Sequence, residues 1–216
     1  MSNLEKIQKY YDELKTISMN QAISEDKGFL RIEKYDCTLN NGHTIRREKL
    51  IKGNKDGSAA IIFPITEDNK VILAIEPRVF TNLTVDMGFP AGYIEENEKE
   101  EISAVRELEE ETGYTSDNLI LLGKFYQDQG CSAACNSYYL ALNCRKVKEQ
   151  NLDKDEFIKY VLADFDELHW LMESGYIRGL NSGYIYEKVM NYMYKLDSNY
   201  KNAVENGYQK IKKINN

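Results

Sequence analysis

Residues 92–114 read GYIEENEKEEISAVRELEEETGY. Glutamate fills nine of these positions (95, 96, 98, 100, 101, 107, 109, 110 and 111), and only Lys99 and Arg106 oppose them, which leaves a local balance of −7, equal to that of the whole 216-residue chain. Carboxylates at this density repel one another. Either solvent on an outer face or a divalent cation in a site must offset them, since hard cations take oxygen ligands. Ile102, Val105 and Leu108 recur every three residues, which predicts a helix with that face inward. Glu107 and Glu111, at i and i+4, then share one flank, and Glu110 lies beside them at i+3 from Glu107. Gly113 is a fitting left-handed stop. Phe89-Pro90-Ala91-Gly92 predicts a tight loop ahead of the helix, with carbonyls facing the same ion.

The spacing is more specific than the charge. Five residues separate Gly92 from Glu98, seven more lead to Arg106-Glu107-Leu108, and Glu110-Glu111 and Gly113-Tyr114 follow at single-residue intervals. This resembles the Nudix box, G-x5-E-x7-R-E-U-x-E-E-x-G-U, where U is a bulky apolar residue. Every fixed position is filled, with Tyr114 where an aliphatic is usual. Seven specified residues at average usage match by chance on the order of 10⁻⁹ per starting position. Local glutamate bias raises that to roughly 10⁻⁵ or 10⁻⁶. A merely solvated acidic helix is therefore the weaker reading.

Outside this stretch, composition sets bounds. The length suits one domain with small additions. A net charge of −7 argues against a general nucleic-acid surface, which needs a basic face. It permits an anionic substrate if bound Mg²⁺ reverses the local sign. No apolar run approaches the roughly 20 residues needed to span a bilayer, and the start, MSNLEKIQKYYDEL, lacks the apolar core of a signal peptide. A cytoplasmic location with no membrane partner is the expectation. Cysteines stand at 37, 131, 135 and 144, with His43 and His169 remote from the close pair Cys131 and Cys135. Reduced thiols are expected there rather than zinc.

Residues 3–18 predict an amphipathic helix with Leu4, Ile7, Tyr10 or Tyr11, Leu14 and Ile17 on one face. FLRIEKYDCTL and HTIRREKLI predict two strands joined at Asn40-Asn41-Gly42, a hairpin turn. SAAIIFPIT and VILAIEPR predict a buried strand and its partner, with Pro64 and Pro77 at margins or bulges. Residues 79–90 predict a loop. Further strands are expected over 119–125, 138–142 and EFIKYVLAD, separated by the polar loop YQDQGCSAACNS and a turn at 151–155. Asp164-x-x-Glu167 predicts a capping box opening a helix to about Met172. A last helix runs from about Ser182 with Ile185, Val189, Tyr192, Met193 and Leu196 inward, and 201–216 is a frayed tail. Strands with helices outside them predict an α/β sandwich around a mixed sheet. The expected divisions are 1–55 (helix and hairpin extension), 56–200 (the hydrolase domain) and 201–216 (tail).

Over residues 28–196 the chain is similar to the ADP-ribose pyrophosphatase branch of the Nudix hydrolases, through AIEPR, FPAGYIEENE, LGKFYQDQG and DEFIKYVLADFDELHWLMESGYI. The resemblance implies an α/β/α sandwich, Mg²⁺ or Mn²⁺, a homodimer built partly by the N-terminal strands, and hydrolysis of a diphosphate joined to another moiety. It implies that Glu107, Glu111 and the Ala91 carbonyl ligate the metal, with Glu110 as a further ligand or water-holding base. Arg106 would pair with a box glutamate and Glu98 would fix the loop onto the helix. Arg78 and Gly92 would meet the substrate. Gln129 and Ala133-Ala134 stand where ADP-ribose hydrolases carry a proline and an acidic residue, so the base stays open between Glu110 and Asp128. The substrate stays open among ADP-ribose, another nucleotide sugar, a dinucleotide and a nucleoside triphosphate. A nucleotide-binding sensor without catalysis is the alternative outside enzymes.

Overall fold

The computed structural model describes residues 2–15, 28–53 and 56–196. Ile17 and the 201–216 tail, both assigned from sequence, lie outside the described residues. An amphipathic helix opens the chain (α1, Asn3–Leu14), capped by Ser2 and Glu5 in a reciprocal capping box. The hairpin follows as β1 (Leu30–Thr38) and β2 (Thr44–Lys52), paired antiparallel from Leu30↔Lys52 to Thr38↔Thr44. Gly42 takes a positive φ of 83° in the turn between them.

The main sheet contains β3 (Ala59–Thr66), β4 (Val71–Arg78), β5 (Thr84–Gly88), β6 (Ala91–Tyr93), β7 (Tyr114–Thr115), β8 (Asn118–Tyr126), β9 (Cys135–Lys146) and β10 (Lys159–Ala163). Its spine runs β10-β4-β3-β9-β7, with β5 on β4, β6 on β3 and β8 on β9. Only β3 and β9 pair parallel, so the sheet is mixed, as expected. A register shift lies between Pro64 and Thr66, the bulge that lets a proline sit in a central strand.

Alternation along β3 divides the core. Ile61, Phe63 and Ile65 face one cluster with Leu73, Ile75 and Leu140, covered by α1, α3 (Phe165–Glu173) and α4 (Leu180–Leu196). Ala60 and Ile62 face the other, with Ile72, Ala141 and Leu108 of α2 (Glu100–Thr112). The result is the three-layer α/β/α sandwich. Asp164 and Glu167 form the capping box at the start of α3.

Four expectations are corrected. Residues 79–90 are not all loop, because β5 pairs along β4 from Ala74↔Gly88 to Arg78↔Thr84. Its only sequence signal is Val85-x-Met87, too short to read as alternation. Residues 91–93 are strand rather than tight loop, and the Pro90 carbonyl accepts from Ile62 N (2.9 Å) instead of facing an ion. On α2, Ile102 is 57% exposed, while Ser103, Ala104, Glu107, Leu108, Glu111 and Thr112 are buried. The inward stripe follows the wider helical period and includes two carboxylates, which a search for apolar residues passes over. Leu196 is exposed, because α4 has left the sheet by its last residue.

Candidate active site

Helix α2 carries its charges against its own dipole. Acidic Glu100 and Glu101 suit its first turn, but Glu109, Glu110 and Glu111 crowd the last turn, where no basic residue stands. Other segments answer them. Lys148 Nζ pairs with Glu109 at 2.8 Å, and Lys146 Nζ donates to the Thr112 carbonyl at 3.1 Å. Gly113 closes the helix at φ 75°, where a Cβ would stand 2.1 Å from the Lys148 carbonyl oxygen. A helix end this unfavourable on its own persists because the fold holds it.

Arg106 gathers the carboxylates. Its Nε and Nη2 grip Glu98 at 2.8 and 3.0 Å, Nη1 donates to Glu107 (2.8 Å) and Glu110 (3.0 Å), and Nη2 also reaches the Tyr93 carbonyl (3.1 Å). Glu98 in turn accepts from Glu95 N at 3.0 Å, so it ties the loop before α2 to the helix. One guanidinium faces three carboxylates, and Glu111 lies beyond its reach. Glu111 accepts from Ala91 N at 3.3 Å, which places the Ala91 backbone against it.

Glu107 and Glu111 are both buried. Burial pushes the Glu107 carboxyl up to about 7, against the pull of Arg106. Burial also holds Glu111 well above the usual range, reinforced by the charges of Glu76 and Glu107. Gly92 makes room for the pair: a Cβ on it would lie 2.0 Å from the Glu107 Cδ.

A cavity of about 460 Å³ opens over these groups. It is lined by Glu107, Glu110, Glu111, Ala91, Gly92, Arg78, Glu76, Asp153 and Glu156, among others. Every residue assigned to the site from sequence borders it except Glu98, which acts behind Arg106. Arg78 is paired with Glu76, whose carboxyl burial raises. Asp128 is held away by its own loop, bonded to Gly130 N (3.1 Å) and Cys131 Sγ (3.0 Å).

Glu156 and Asp153 were missed from sequence. Asp153 sits in the polar turn read at 151–155, and Glu156 opens the run EFIKYVLAD read as strand, whereas β10 begins only at Lys159. The base of the turn is pinned to the end of α2 by Asn151 N on the Glu110 carbonyl (2.9 Å), and by Gln150 Nε2 on the Glu111 and Ile158 carbonyls (2.5 and 3.1 Å). Glu156 lines the same cavity as Glu107, Glu111 and Glu76, and its charge adds a lesser raising effect to that of burial at each. Only the three acidic residues in 153–156 (Asp153, Asp155 and Glu156) hinted at this.

Among the described residues no three His, Cys, Asp or Glu side chains already form a group that could hold a metal ion; Arg106 engages Glu107 and Ala91 N engages Glu111. The donor set still suits a hard cation: two carboxylates one turn apart, both raised chiefly by burial, with Glu107 in a notch that only glycine leaves open.

The NUDIX domain family matches residues 55–180. The chain belongs to the Nudix family. It is a Nudix pyrophosphohydrolase, and hydrolases of this family generally use divalent metals. The chain is 32% identical over 163 residues to the ADP-ribose pyrophosphatase of Bacillus subtilis (strain 168), covering 75% of this chain and 84% of that protein. It is also 32% identical over 156 residues to the methanol dehydrogenase activator of Bacillus methanolicus, covering 72% and 80%. The Nudix fold is matched by the crystal structure of an ADP compounds hydrolase, with a TM-score of 0.66 and 21% identity over 80% of this chain and 90% of that one. No helix among the described residues is long and apolar enough to cross a membrane.

Proposed function

We propose that this Nudix enzyme hydrolyses the diphosphate linkage of a nucleoside diphosphate derivative, ADP-ribose or a nucleotide sugar, with Mg²⁺ or Mn²⁺. The products are a nucleoside monophosphate and a phosphorylated sugar. The observation that carries this reading is the buried pair of Glu107, lodged against Gly92, and Glu111, bonded to Ala91 N, lining a cavity that Arg78 borders. Similarity to the Bacillus subtilis ADP-ribose pyrophosphatase supports the substrate class.

Glu107, Glu111 and the Ala91 backbone hold the cation, with Glu110 beside them. When bound, a divalent cation neutralises phosphate oxygens and lowers the pKa of a ligated water. Arg78 exchanges Glu76 for a phosphate oxygen, to which its planar fork is suited. Glu156 accepts the water proton. Glu110 is engaged by Arg106 and Asp128 by its own loop, whereas Glu156 is exposed and, among the described residues, its carboxylate accepts from Asp153 N alone, at 3.1 Å. Glu98 and Arg106 position the ligands without touching substrate.

Homodimer formation belongs to the same proposal. Phe29, Leu30, Ile32, Tyr35 and Leu39 of the hairpin segment are all more than two-fifths exposed, an apolar surface suited to a second copy.

The deciding experiment incubates the purified chain with Mg²⁺ or Mn²⁺ and ADP-ribose, nucleotide sugars, dinucleotides and nucleoside triphosphates, and assays nucleoside monophosphate and pyrophosphate. Turnover of sugar-linked diphosphates, abolished in Glu111→Gln, is expected. Wild type indistinguishable from Glu111→Gln on every compound would remove the reading. Glu156→Gln is expected to lower kcat about 10²- to 10⁴-fold with KM little changed, the range for a lost general base.

A further inference from the structure

A second cavity, of about 420 Å³, adjoins the first and shares Ile61, Glu76, Arg78, Ala91, Gln127 and Asn181 with it. Its far side is built by β5 and the start of α4. Asp86 lies directly opposite Glu76 in the β4–β5 register, so both carboxylates leave the same face of the sheet. Among the described residues the Asp86 Oδ1 atom is buried with no hydrogen-bond partner, and burial raises this carboxyl against the lowering by the Met87 and Arg178 backbone amides and by the Arg78 and Arg178 charges. Buried acceptors without a partner are uncommon and costly.

The groups around Asp86 are those that bind hydroxyls. Ser182 Oγ occupies the notch beside Gly88, where a Cβ would stand 2.6 Å from it. The Asn181 Oδ1 is taken by Asn136 Nδ2 (3.2 Å) and Tyr138 OH (2.9 Å), which fixes the amide and leaves the Nδ2 donors for a ligand. The one aromatic ring in the lining, Phe89, is buried and stacked on Phe63 at 4.6 Å, so it presents no face to a nucleobase. A further phosphate would meet Asp86, Glu76 and Asp128. The first turn of α4 would favour an anion, but the Asp86 Oδ2 already stands beside Gly179 there.

We infer that this cavity is a subsite for the polyhydroxylated, non-nucleoside half of the substrate, with Asp86 accepting from a sugar hydroxyl while Arg78 marks the diphosphate at the seam. The subsite favours sugar-linked diphosphates over triphosphates, because its acceptor is a carboxylate. This inference rests on the hydrolysis reading above.

The test compares wild type, Asp86→Ala and Asp86→Asn, with thermal melting to confirm folding. Steady-state kinetics on ADP-ribose and ATP are paired with inhibition by ribose 5-phosphate and by inorganic phosphate. Loss of a hydrogen bond to a charged acceptor predicts about a tenfold rise in KM for ADP-ribose in Asp86→Ala, with Asp86→Asn between it and wild type. Ribose 5-phosphate should inhibit wild type more tightly than phosphate does, and Asp86→Ala should erase that difference. If Asp86→Ala melts below the assay temperature, Asp86→Asn carries the same comparison with a smaller expected change. Both variants keeping KM and the ribose 5-phosphate preference within twofold overturns the inference and leaves the hydrolysis reading standing. Failure of wild type on every sugar-linked diphosphate removes the hydrolysis reading, and inhibition of ATP turnover by ribose 5-phosphate still reports on the cavity.

Discussion

The Glu107 carboxylate fills the space where Gly92 lacks a side chain: a Cβ on Gly92 would approach its Cδ to 2.0 Å. The first glycine of the acidic motif and its central glutamate are thus one packing unit, although fifteen positions apart. Gly92 is not among the positive-φ glycines, so its requirement is space rather than backbone conformation. Gly92→Ala is expected to displace Glu107 and lower kcat about 10²-fold, the scale for a misplacement near 1 Å. Steady-state kinetics beside a melting curve checks this; unchanged kcat would show that the contact is dispensable.

The buried carboxyls make metal-free stability fall as pH rises. The Glu107 folded-state value is pushed up to about 7 by burial, above its ordinary 4.5, so the native state binds more protons than the unfolded state between those values. The contribution is fully present below about pH 4.5 and is lost as pH climbs through about 7, and Glu111 acts in the same direction. Urea denaturation in chelator across this range should show the decline. Glu107→Gln should flatten it, and added Mg²⁺ should offset it most at the alkaline end.

Arg106 holds Glu98, Glu107 and Glu110 together through hydrogen bonds of 2.8 to 3.0 Å. Arg106→Ala leaves these carboxylates without their shared cation and should cost about 2–4 kcal/mol. Arg106→Lys should recover only part, because an ammonium lacks the planar fork that serves several carboxylates at once. Denaturant midpoints of the two variants provide the comparison, and equal recovery by lysine would contradict it.

Gln150 links the Glu111 carbonyl to the Ile158 carbonyl, and so ties the end of α2 to the base of the turn that brings Glu156 to the cavity. Gln150→Ala should cost about 1 kcal/mol of stability, the size of one net hydrogen bond. It should also lower kcat by about tenfold, more than KM, through loss of positioning. A drop in stability with kcat intact would limit Gln150 to a structural part.

Much of this site was legible in one dimension. The Gly92–Tyr114 spacing singled out Glu107, Glu110, Glu111 and Arg106, because a helix places residues three and four apart on one flank. Local geometry needs no tertiary information. Glu156 and Asp86 were not legible. Glu156 shares a cavity with Glu111 only because the segment after β9 is bonded to the end of α2 through Asn151 and Gln150. Asp86 reaches Arg78 only because β5 pairs with β4 in one register. Neither pairing is written in the residues that it brings together.

The amino-acid sequence by itself determined the acidic helix, its glycine borders, the long strands of the sandwich and the family. Those follow from periodicity and spacing along a continuous chain. The tertiary structure alone decided that Glu107 and Glu111 are buried and raised, that their helix turns Ser103 and Ala104 inward rather than Ile102, and that a second cavity ending at Asp86 adjoins the first. Burial and charge proximity depend on groups distant in sequence, and only the folded chain sets which of them meet.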